Sequence, residues 1–328
     1  MRSLRKPARE ENEASMSKLL KKLENRLIAK KTHQLDRTPM WFLACEEEEL
    51  RRRTDIDAEV LETLLSLREN GYAILRNNVP HALCDEVIRE FEEHCASEKE
   101  SEQYADEYGL HSRLALFHYK SDPALEIALL KRTTDVVRTG FGGDFTIVGS
   151  LLFERGSTQD VHRDTPAFFT NPLNHFFGVW NALEDVREGS GELCYFTGGH
   201  RVIRDTDLYD DPAINIDNYF AAVENACWEA GLDLEKFRPR KGDTLIWLPE
   251  LPHGGSRRED KAASRRSIVF HYLPTGTPLH GAKEFFDRDK PLYCEENYSV
   301  LVRRGARMID MGRTRFYHNH KEGNFEEG

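Results

Sequence analysis

A histidine and an aspartate stand two residues apart in the stretch QDVHRDTPAFF, at residues 159–169. Side chains at positions i and i+2 of a β-strand project to the same face. A strand here would therefore direct an imidazole nitrogen of His162 and a carboxylate of Asp164 at one point. Such a pair is either a polar pair at the end of a strand or two of the three ligands of a metal site.

A third ligand is offered by His253 in the segment KGDTLIWLPELPHGGSRRED. It follows a strand-like run and a proline-rich bend, and it precedes Gly254 and Gly255, which would let the backbone pass close to a bulky group. Two histidines and one carboxylate leave three open positions on one side of an Fe(II) centre. We therefore predict that His162, Asp164 and His253 are the metal ligands and form the catalytic centre.

Two arginines, Arg265 and Arg266, open the apolar segment SRRSIVFHYLP. An arginine that points into a barrel is costly unless it meets an anion, and a guanidinium binds a carboxylate through two hydrogen bonds. Iron together with such an arginine indicates 2-oxoglutarate, bound to the metal at one end and to the arginine at the other. Strand alternation allows only one of the two arginines to face inward. Gln159, just before the metal pair, is a further candidate for contact with cosubstrate or substrate.

The elements that must position these residues change in character along the chain. Two helices around the short strand YAIL are indicated between residues 57 and 95. From about residue 144, short aromatic and β-branched segments separated by turn-rich pieces predict a barrel or a sandwich. A helical insertion at about 201–240 interrupts these strands, and we expect it to cover the mouth. The predicted strands are DFTIVGSLLFE, HFFGVWNAL, ELCYFT, DTLIWLP and RRSIVFHYL.

Residues 1–56 are predicted to be a charged helical extension of a main domain at 57–328. Within the extension, Leu19, Leu20, Leu23, Leu27 and Ile28 form one helical stripe with lysines opposite. This stripe could pack on the main domain or on a second copy of the chain, so a homodimer is possible.

Composition limits the classes of partner. The 328 residues carry a formal net charge of -11, which argues against a general nucleic-acid binder. The mean hydropathy is -0.63, no apolar run is long enough for a bilayer, and the N-terminus lacks the apolar core of a secretory signal. None of the six cysteines is spaced as in a zinc knuckle, and cytosolic thiols are the expected state. We therefore predict a cytoplasmic protein with a small-molecule substrate, no nucleic-acid partner and no membrane.

The ordered motifs resemble the phytanoyl-CoA dioxygenase-like family of Fe(II)/2-oxoglutarate-dependent oxygenases over about residues 60–275. The resemblance implies a mainly β fold with flanking helices, a double-stranded β-helix of the jelly-roll or cupin-like type. It also implies that Trp180 lies near the cosubstrate and that the family's arginine falls on Arg265. The motifs that carry it are ENGYAILRNNVPHALCDEVIREF, the HRD triplet at 162–164, VWNALEDV, GSGELCYFTGGHR, GDTLIWLPELPHGG and RRSIVFHYLP.

The resemblance further implies a reaction. Relatives that halogenate replace the carboxylate ligand with a small residue, whereas this chain keeps Asp164. Hydroxylation or another C–H oxidation of a small molecule is the implied outcome, with O2 as cosubstrate and release of succinate and CO2. Two places depart from the pattern: Thr197 and Gly199 stand where proline and serine are common, and Gly255 stands where some members have a serine near the cosubstrate.

Three other interpretations remain open at this level. One is a hydroxylase that acts on a protein, since the acidic charge disfavours only nucleic acid. A metal dioxygenase that uses the same three ligands without 2-oxoglutarate would retain activity in both Arg265→Ala and Arg266→Ala. A catalytically silent member of the family would bind a metabolite or a protein without turning over 2-oxoglutarate.

Four further residues, His200, Arg201, His271 and His118, are interpreted as structural.

Overall fold

The computed structural model describes residues 32–97, 105–111 and 113–311. The predicted stripe at Leu19–Ile28 lies outside the described residues. No helix in the described ranges combines the length and the apolar composition needed to cross a membrane.

Nine α-helices occur in the described ranges, most of them before the β-rich part of the chain. They are α1 Trp41–Ala44, α2 Glu47–Arg51, α3 Ala58–Asn70, α4 His81–Ser97, α5 Asp122–Ala128, α6 Lys131–Phe141, α7 Asp205–Asp210, α8 Tyr219–Glu229 and α9 Ala282–Phe286.

Fifteen strands are described, and they include YAIL and the five segments named above as predicted strands. They are β1 Thr32–His33, β2 Tyr72–Leu75, β3 Leu114–Ala115, β4 Phe145–Phe153, β5 Phe169–Thr170, β6 Phe177–Ala182, β7 Leu193–Phe196, β8 Leu234–Phe237, β9 Thr244–Trp247, β10 His253–Gly255, β11 Ser267–Pro274, β12 Leu279–His280, β13 Leu292–Tyr293, β14 Val300–Arg303 and β15 Ala306–Ile309.

The main sheet has eight strands and carries helices on its outer face. Its order is β14-β15-β4-β11-β6-β9-β2. The eighth strand, β3, also pairs with β4 and stands outside this order. Strand β11 lies at its centre, antiparallel to both β4 and β6. One apolar cluster joins alternate residues of these strands to helices α3 to α6, and we call this cluster the outer core.

A smaller sheet faces the main sheet across a second apolar layer. Its order is β10-β7-β8, with all neighbours antiparallel. The layer between the two sheets, here called the barrel core, contains Phe153, Trp180, Ala182, Val186, Leu193, Tyr195, Phe237, Leu245, Trp247, Leu251 and Val269. Two facing sheets flanked by helices, the larger one antiparallel except for the parallel pair of β15 and β4, confirm the double-stranded β-helix, a closed form of the barrel or sandwich that the short strands predicted.

Local sequence explains how the first helix and strand are placed. The Asp57 side chain accepts hydrogen bonds from the backbone N–H groups of Glu59 and Val60, which caps the start of α3. Gly71 ends the helix with φ +84°, a left-handed conformation that favours glycine. The chain then enters β2, whose partner β9 leads to the segment that carries His253.

Residues 40–50 of the predicted extension pack against the main body. Phe42 on α1 and Leu50 on α2 are fully buried and belong to the outer core. The division of the chain at residue 57 stays a prediction.

The region 201–240 contains helices α7 and α8 followed by strand β8. Leu208, Tyr219 and Val223 of the two helices pack with Phe169 of β5 and Phe285 of α9 in a separate apolar cluster. The helices are therefore held by their own core beside the barrel.

Candidate metal and cosubstrate site

The side chains of His162, Asp164 and His253 lie together beside the barrel core. One potential ligand atom of each residue lies within 4.8 Å of those of the other two. The imidazole ring centroids are 4.4 Å apart, and Nε2 of His253 is 4.0 Å from Oδ1 of Asp164. Because metal–ligand bonds of about 2 Å place two ligands of one ion at most about 4 Å apart, small side-chain rotations would let all three bind one ion.

One pair of backbone-bonded residues brings the segment of His162 and Asp164 next to the segment of His253. His162 and His253 form an isolated antiparallel bridge, with reciprocal N–H to O distances of 2.8 and 2.9 Å. The backbone N–H of Asp164 donates to the carbonyl of Pro249 at 3.2 Å. The expectation of a regular strand through His162 and Asp164 is therefore wrong, because the pairing ends with the single bridge at His162 and the chain bends at Asp164.

Backbone carbonyls fix the orientation of both imidazole rings. Nδ1 of His162 lies 2.8 Å from the carbonyl oxygen of Asp160, and Nδ1 of His253 lies 2.9 Å from that of Leu251. A carbonyl accepts only, so each Nδ1 carries the proton and each Nε2 keeps its lone pair for a metal. Burial, with a smaller effect of His253, lowers the pKa of His162 to about 4, so this ring is neutral at pH 7.

The carboxylate of Asp164 is held by a tryptophan of β9. The indole Nε1 of Trp247 donates to Oδ2 at 2.8 Å, which leaves Oδ1 facing His253. Burial by itself would raise the pKa of Asp164, but His253, His271, His162 and this hydrogen bond together lower it. The group is therefore an ionised acceptor, as a metal ligand must be.

Gly178 makes room for that tryptophan. Gly178 on β6 is paired with Trp247 on β9, and a Cβ at position 178 would lie 2.2 Å from the indole ring. Gly178 could not be singled out from the sequence, because the neighbour that needs the space lies on another strand.

The two neighbouring arginines occupy opposite environments. Arg265 is 2% exposed, its guanidinium lies over the rings of Phe153 and Trp180 at 5.3 and 5.7 Å, and its Nε has no hydrogen-bond partner among the described residues. Arg266 instead pairs with Glu92 at 2.8 Å and Glu154 at 3.2 Å. The inward-facing arginine is thus Arg265.

Further unpartnered polar atoms surround Arg265. The Ser267 hydroxyl and the Trp180 indole Nε1 are both buried without a hydrogen-bond partner in the described part of the chain. Ser267 stands two residues after Arg265 and so projects to the same side. Buried polar atoms without partners are rare in folded proteins, so this group has the composition of a carboxylate site. Ser267 was missed in the sequence, although the i, i+2 spacing could have indicated it.

The two glycines after His253 allow a close approach of backbone. A Cβ at Gly254 would lie 2.8 Å from the carbonyl oxygen of Gln159, and a Cβ at Gly255 would lie 2.7 Å from Oγ of Ser157. The bulky group predicted at this point is therefore the chain segment 157–160. The Gln159 amide nitrogen in turn lies 3.1 Å from Nε2 of His162, at the edge of the metal site.

The residue between the two ligands points away from them. Arg163 is fully buried and pairs with Asp205 of α7 at 2.8 Å. Its guanidinium also donates to the carbonyls of Gly199 and Ile203, and the hydroxyl of Tyr219 donates to Asp205 at 2.7 Å. This network joins the metal-ligand segment to both helices of the insertion.

The insertion also supplies an apolar neighbour to the site. The ring of Phe220 on α8 lies edge-on to His162, with centroids 6.1 Å apart. The predicted cover of the mouth thus contacts one candidate ligand.

The other histidines noted in the sequence have mixed environments. His200 bonds through Nε2 to the carbonyl of Arg68 at the end of α3, and Nδ1 of His118 lies 2.7 Å from the hydroxyl of Ser150. His271 lies close enough to Asp164 to lower the pKa of that carboxyl group, and its effect is second to that of His253. It therefore borders the site, which packing alone did not predict.

Comparison with known proteins agrees with this geometry. The family model described as phytanoyl-CoA dioxygenase (PhyH) matches residues 67–267. The peroxisomal phytanoyl-CoA dioxygenase of Homo sapiens is 20% identical over 238 residues, which cover 66% of this chain and 69% of the relative. The Mus musculus enzyme of the same name is 20% identical over 253 residues, covering 69% and 72%.

Solved structures show the same fold. The epimerase SnoN in complex with Fe3+, alpha ketoglutarate and nogalamycin RO matches with a TM-score of 0.58 and 17% identity, covering 77% of this chain and 98% of that chain. EctD from S. alaskensis with bound Fe matches with a TM-score of 0.51 and 14% identity, covering 75% and 89%. With the family model spanning more than half of its length, the chain belongs to the phytanoyl-CoA dioxygenase family of Fe(II)/2-oxoglutarate-dependent oxygenases.

Proposed function

We propose that the protein hydroxylates a small molecule, or otherwise oxidises one of its C–H bonds, with release of succinate and CO2. One observation carries this proposal. Trp247 of the barrel core donates a hydrogen bond to Asp164 of the three-ligand cluster, and Trp180 of the same core lies against the guanidinium of Arg265, whose Nε has no hydrogen-bond partner among the described residues.

Each residue has a separate task in this proposal. His162 and His253 bind Fe(II) through their Nε2 atoms, and Asp164 binds it through the carboxylate that Trp247 orients. Arg265 and Ser267 bind the far carboxylate of 2-oxoglutarate, with Trp180 as a wall of that site. Gln159, whose amide nitrogen lies 3.1 Å from Nε2 of His162, contacts cosubstrate or substrate instead when iron takes that nitrogen. Fe(II), 2-oxoglutarate and O2 supply the oxidising chemistry when bound.

The fold contributes exclusion of water and selection of substrate. The barrel core consists of buried apolar side chains and Arg265 is itself buried, so an ion pair between Arg265 and a carboxylate is shielded from solvent and strengthened. A substrate enters from the side where Phe220 and the segment 157–160 border His162. The predicted cytoplasmic location and the possible homodimer stay predictions.

The test is succinate formation from 2-oxoglutarate by the Fe(II)-loaded protein. We expect turnover in wild type and in Arg266→Ala, and its loss in His253→Ala and Asp164→Ala. Oxidation of an added substrate without succinate formation, unchanged in both Arg265→Ala and Arg266→Ala, would instead indicate a metal dioxygenase that does not use 2-oxoglutarate.

A further inference from the structure

Strand β11 turns every second side chain toward the inside of the barrel. Val269 belongs to the barrel core, whereas its neighbours Ile268 and Phe270 belong to the outer core, as does Tyr272. His271 stands two residues after Val269 and therefore projects to the same side of the sheet. The imidazole of His271 thus lies inside the barrel, on the central strand of the main sheet.

Strand pairing places His271 beside the carboxylate of Asp164. His271 is paired with Gly178 of β6, and Gly178 is paired with Trp247 of β9. The indole lies directly over Gly178, because a Cβ at that position would be 2.5 Å from its Nε1. This Nε1 donates to Oδ2 of Asp164, and neighbouring strands are only about 4.8 Å apart. The carboxylate is therefore held above the strand next to His271.

Packing gives a second, independent contact with the metal-ligand segment. The ring of Phe168 lies 4.4 Å from that of His271, and the ring of Phe176 stacks on the imidazole at 5.4 Å. The backbone N–H of Phe168 donates to the carbonyl of Asp164 at 2.9 Å, so Phe168 closes the turn that begins at this ligand. The two phenylalanine rings fix the orientation of the imidazole beside Asp164.

The protein leaves the hydrogen-bonding capacity of this imidazole unused. His271 is 6% exposed, and its ring nitrogens form no hydrogen bond with any described residue. The fully buried unpartnered atoms of the described residues do not include these two nitrogens, so each still faces open space inside the barrel. Because buried polar groups are nearly always hydrogen-bonded, the partner of His271 is expected to be a bound molecule.

The inward face of this part of the chain matches the chemistry of 2-oxoglutarate from end to end. Arg265 and Ser267 offer donors for the far carboxylate, Val269 follows with an apolar side chain, and His271 comes last with an N–H. The molecule has the same order: a carboxylate, two methylene groups and the 2-oxo acid that chelates a metal. Ser267 and His271 are about 13 Å apart along the strand, which leaves room for the molecule between their side chains.

We propose that the imidazole N–H of His271 donates a hydrogen bond to the metal-binding end of 2-oxoglutarate and so positions the 2-oxo acid beside Asp164. The inference deepens the proposed function and rests on it, since it requires a site for Fe(II) and 2-oxoglutarate. His271 and Arg265 then act on opposite ends of one molecule, and their effects can be separated experimentally.

Two 2-oxo acids distinguish these ends: 2-oxoglutarate, and pyruvate, which has the same chelating end but no far carboxylate. Each is titrated anaerobically into Fe(II)-loaded protein while the visible band of the chelate is recorded. His271→Phe keeps an aromatic ring in the stack and removes the N–H. We expect it to shift the band of both complexes to higher energy, because the donor no longer stabilises the negative charge that the transition places on the 2-oxo acid. Both dissociation constants should rise about tenfold, as for the loss of a hydrogen bond to a charged group.

Three matched variants make the result specific. Arg265→Ala should weaken binding of 2-oxoglutarate but leave the pyruvate affinity and both band positions unchanged. His271→Gln keeps an amide N–H and should restore part of the wild-type band position. Phe176→Leu loosens the stack without removing the N–H, so both bands should stay at the wild-type position. If circular dichroism shows that His271→Phe is unfolded, His271→Leu replaces it with the same expectation.

Several outcomes would overturn the inference. Wild-type band positions in His271→Phe contradict it, and so does an equal band shift in Phe176→Leu, which would assign the effect to packing. Weaker binding of 2-oxoglutarate with unchanged binding of pyruvate in His271→Phe would place His271 at the far carboxylate. Wild-type protein that forms no band with 2-oxoglutarate would refute the proposed function itself, and that failure is seen before any variant is compared.

Discussion

At the scale of single residues, the neighbours Arg265 and Arg266 show how burial separates two identical side chains. Arg265 is inward, buried and without a partner for its Nε in the described ranges, whereas Arg266 is part of an ion-pair cluster with Glu92 and Glu154. The first arrangement leaves hydrogen-bonding capacity for a ligand. In the second arrangement, the hydrogen bonds of the guanidinium are made to carboxylates of the protein itself.

Replacing these two arginines should therefore have different effects. Arg265→Ala should raise the dissociation constant of 2-oxoglutarate by about ten- to a hundredfold, because hydrogen bonds between charged groups are lost. Arg266→Ala should leave that constant unchanged and lower the free energy of unfolding by about 1–3 kcal/mol, since the buried Glu154 loses a partner. Anaerobic titration with 2-oxoglutarate and urea denaturation measure the two quantities. Equal 2-oxoglutarate affinities in both variants would contradict the assignment.

At the scale of paired elements, strands β6 and β9 hold the aspartate ligand through the contact of Gly178 with Trp247. Gly178→Ala should displace the indole, because the new Cβ would lie 2.2 Å from the ring. We expect a loss of about 1–3 kcal/mol in unfolding free energy, the usual cost of overpacking, and weaker binding of Fe(II). Gly143→Ala is the matched control, since a Cβ there meets no atom within 4 Å. Unchanged Fe(II) affinity in Gly178→Ala would show that Trp247 does not orient Asp164.

The insertion is joined to the metal-ligand segment by the buried pair of Arg163 and Asp205. Arg163→Met should lower the free energy of unfolding by about 3–5 kcal/mol, because it leaves a buried carboxylate uncompensated. Arg238→Ala breaks an exposed pair with Glu188 and should cost less than about 1 kcal/mol. Urea denaturation compares the two, and equal losses would mean that the buried pair contributes no more than a surface pair.

The elements differed in how well the sequence predicted them. Short aromatic and β-branched runs predicted β4, β6, β7, β9 and β11, because these strands are buried on both faces over nearly their whole length. His162, Asp164, His253 and Arg265 were identified because few residue types serve those roles and they occur in a recognised order. Gly178 was not singled out, because its role depends on a neighbour that is distant in the chain, and Ser267 was missed although its spacing from Arg265 could have indicated it.

At the scale of the whole molecule, one partly buried carboxyl group should couple stability to pH. Burial, together with the nearby Asp205, raises the pKa of Glu250 to about 7, although Arg163 opposes the shift. An unfolded glutamate ionises near its usual pKa of about 4.3, so between these two values the folded state holds a proton that the unfolded state has lost. The contribution of Glu250 to stability therefore falls as pH rises through this interval, by at most about 1.4 kcal/mol per pH unit.

Glu250→Gln should remove this dependence, because glutamine can still accept the hydrogen bond from the backbone nitrogen of Asp205. The free energy of unfolding of wild type relative to the variant should decline between about pH 4.5 and pH 7 and be constant above it. Urea denaturation at a series of pH values measures the difference. A difference that does not change with pH would show that Glu250 is ionised throughout.

The most direct measurement is an anaerobic titration of the metal-free protein with Fe(II) and then 2-oxoglutarate, followed by the weak visible absorption band of the chelate. We expect a band in wild type at one equivalent of iron, no band in His253→Ala, and a band in Arg265→Ala that needs a higher concentration of 2-oxoglutarate. Wild-type protein that binds iron and shows no band at any concentration of 2-oxoglutarate would contradict the proposed site.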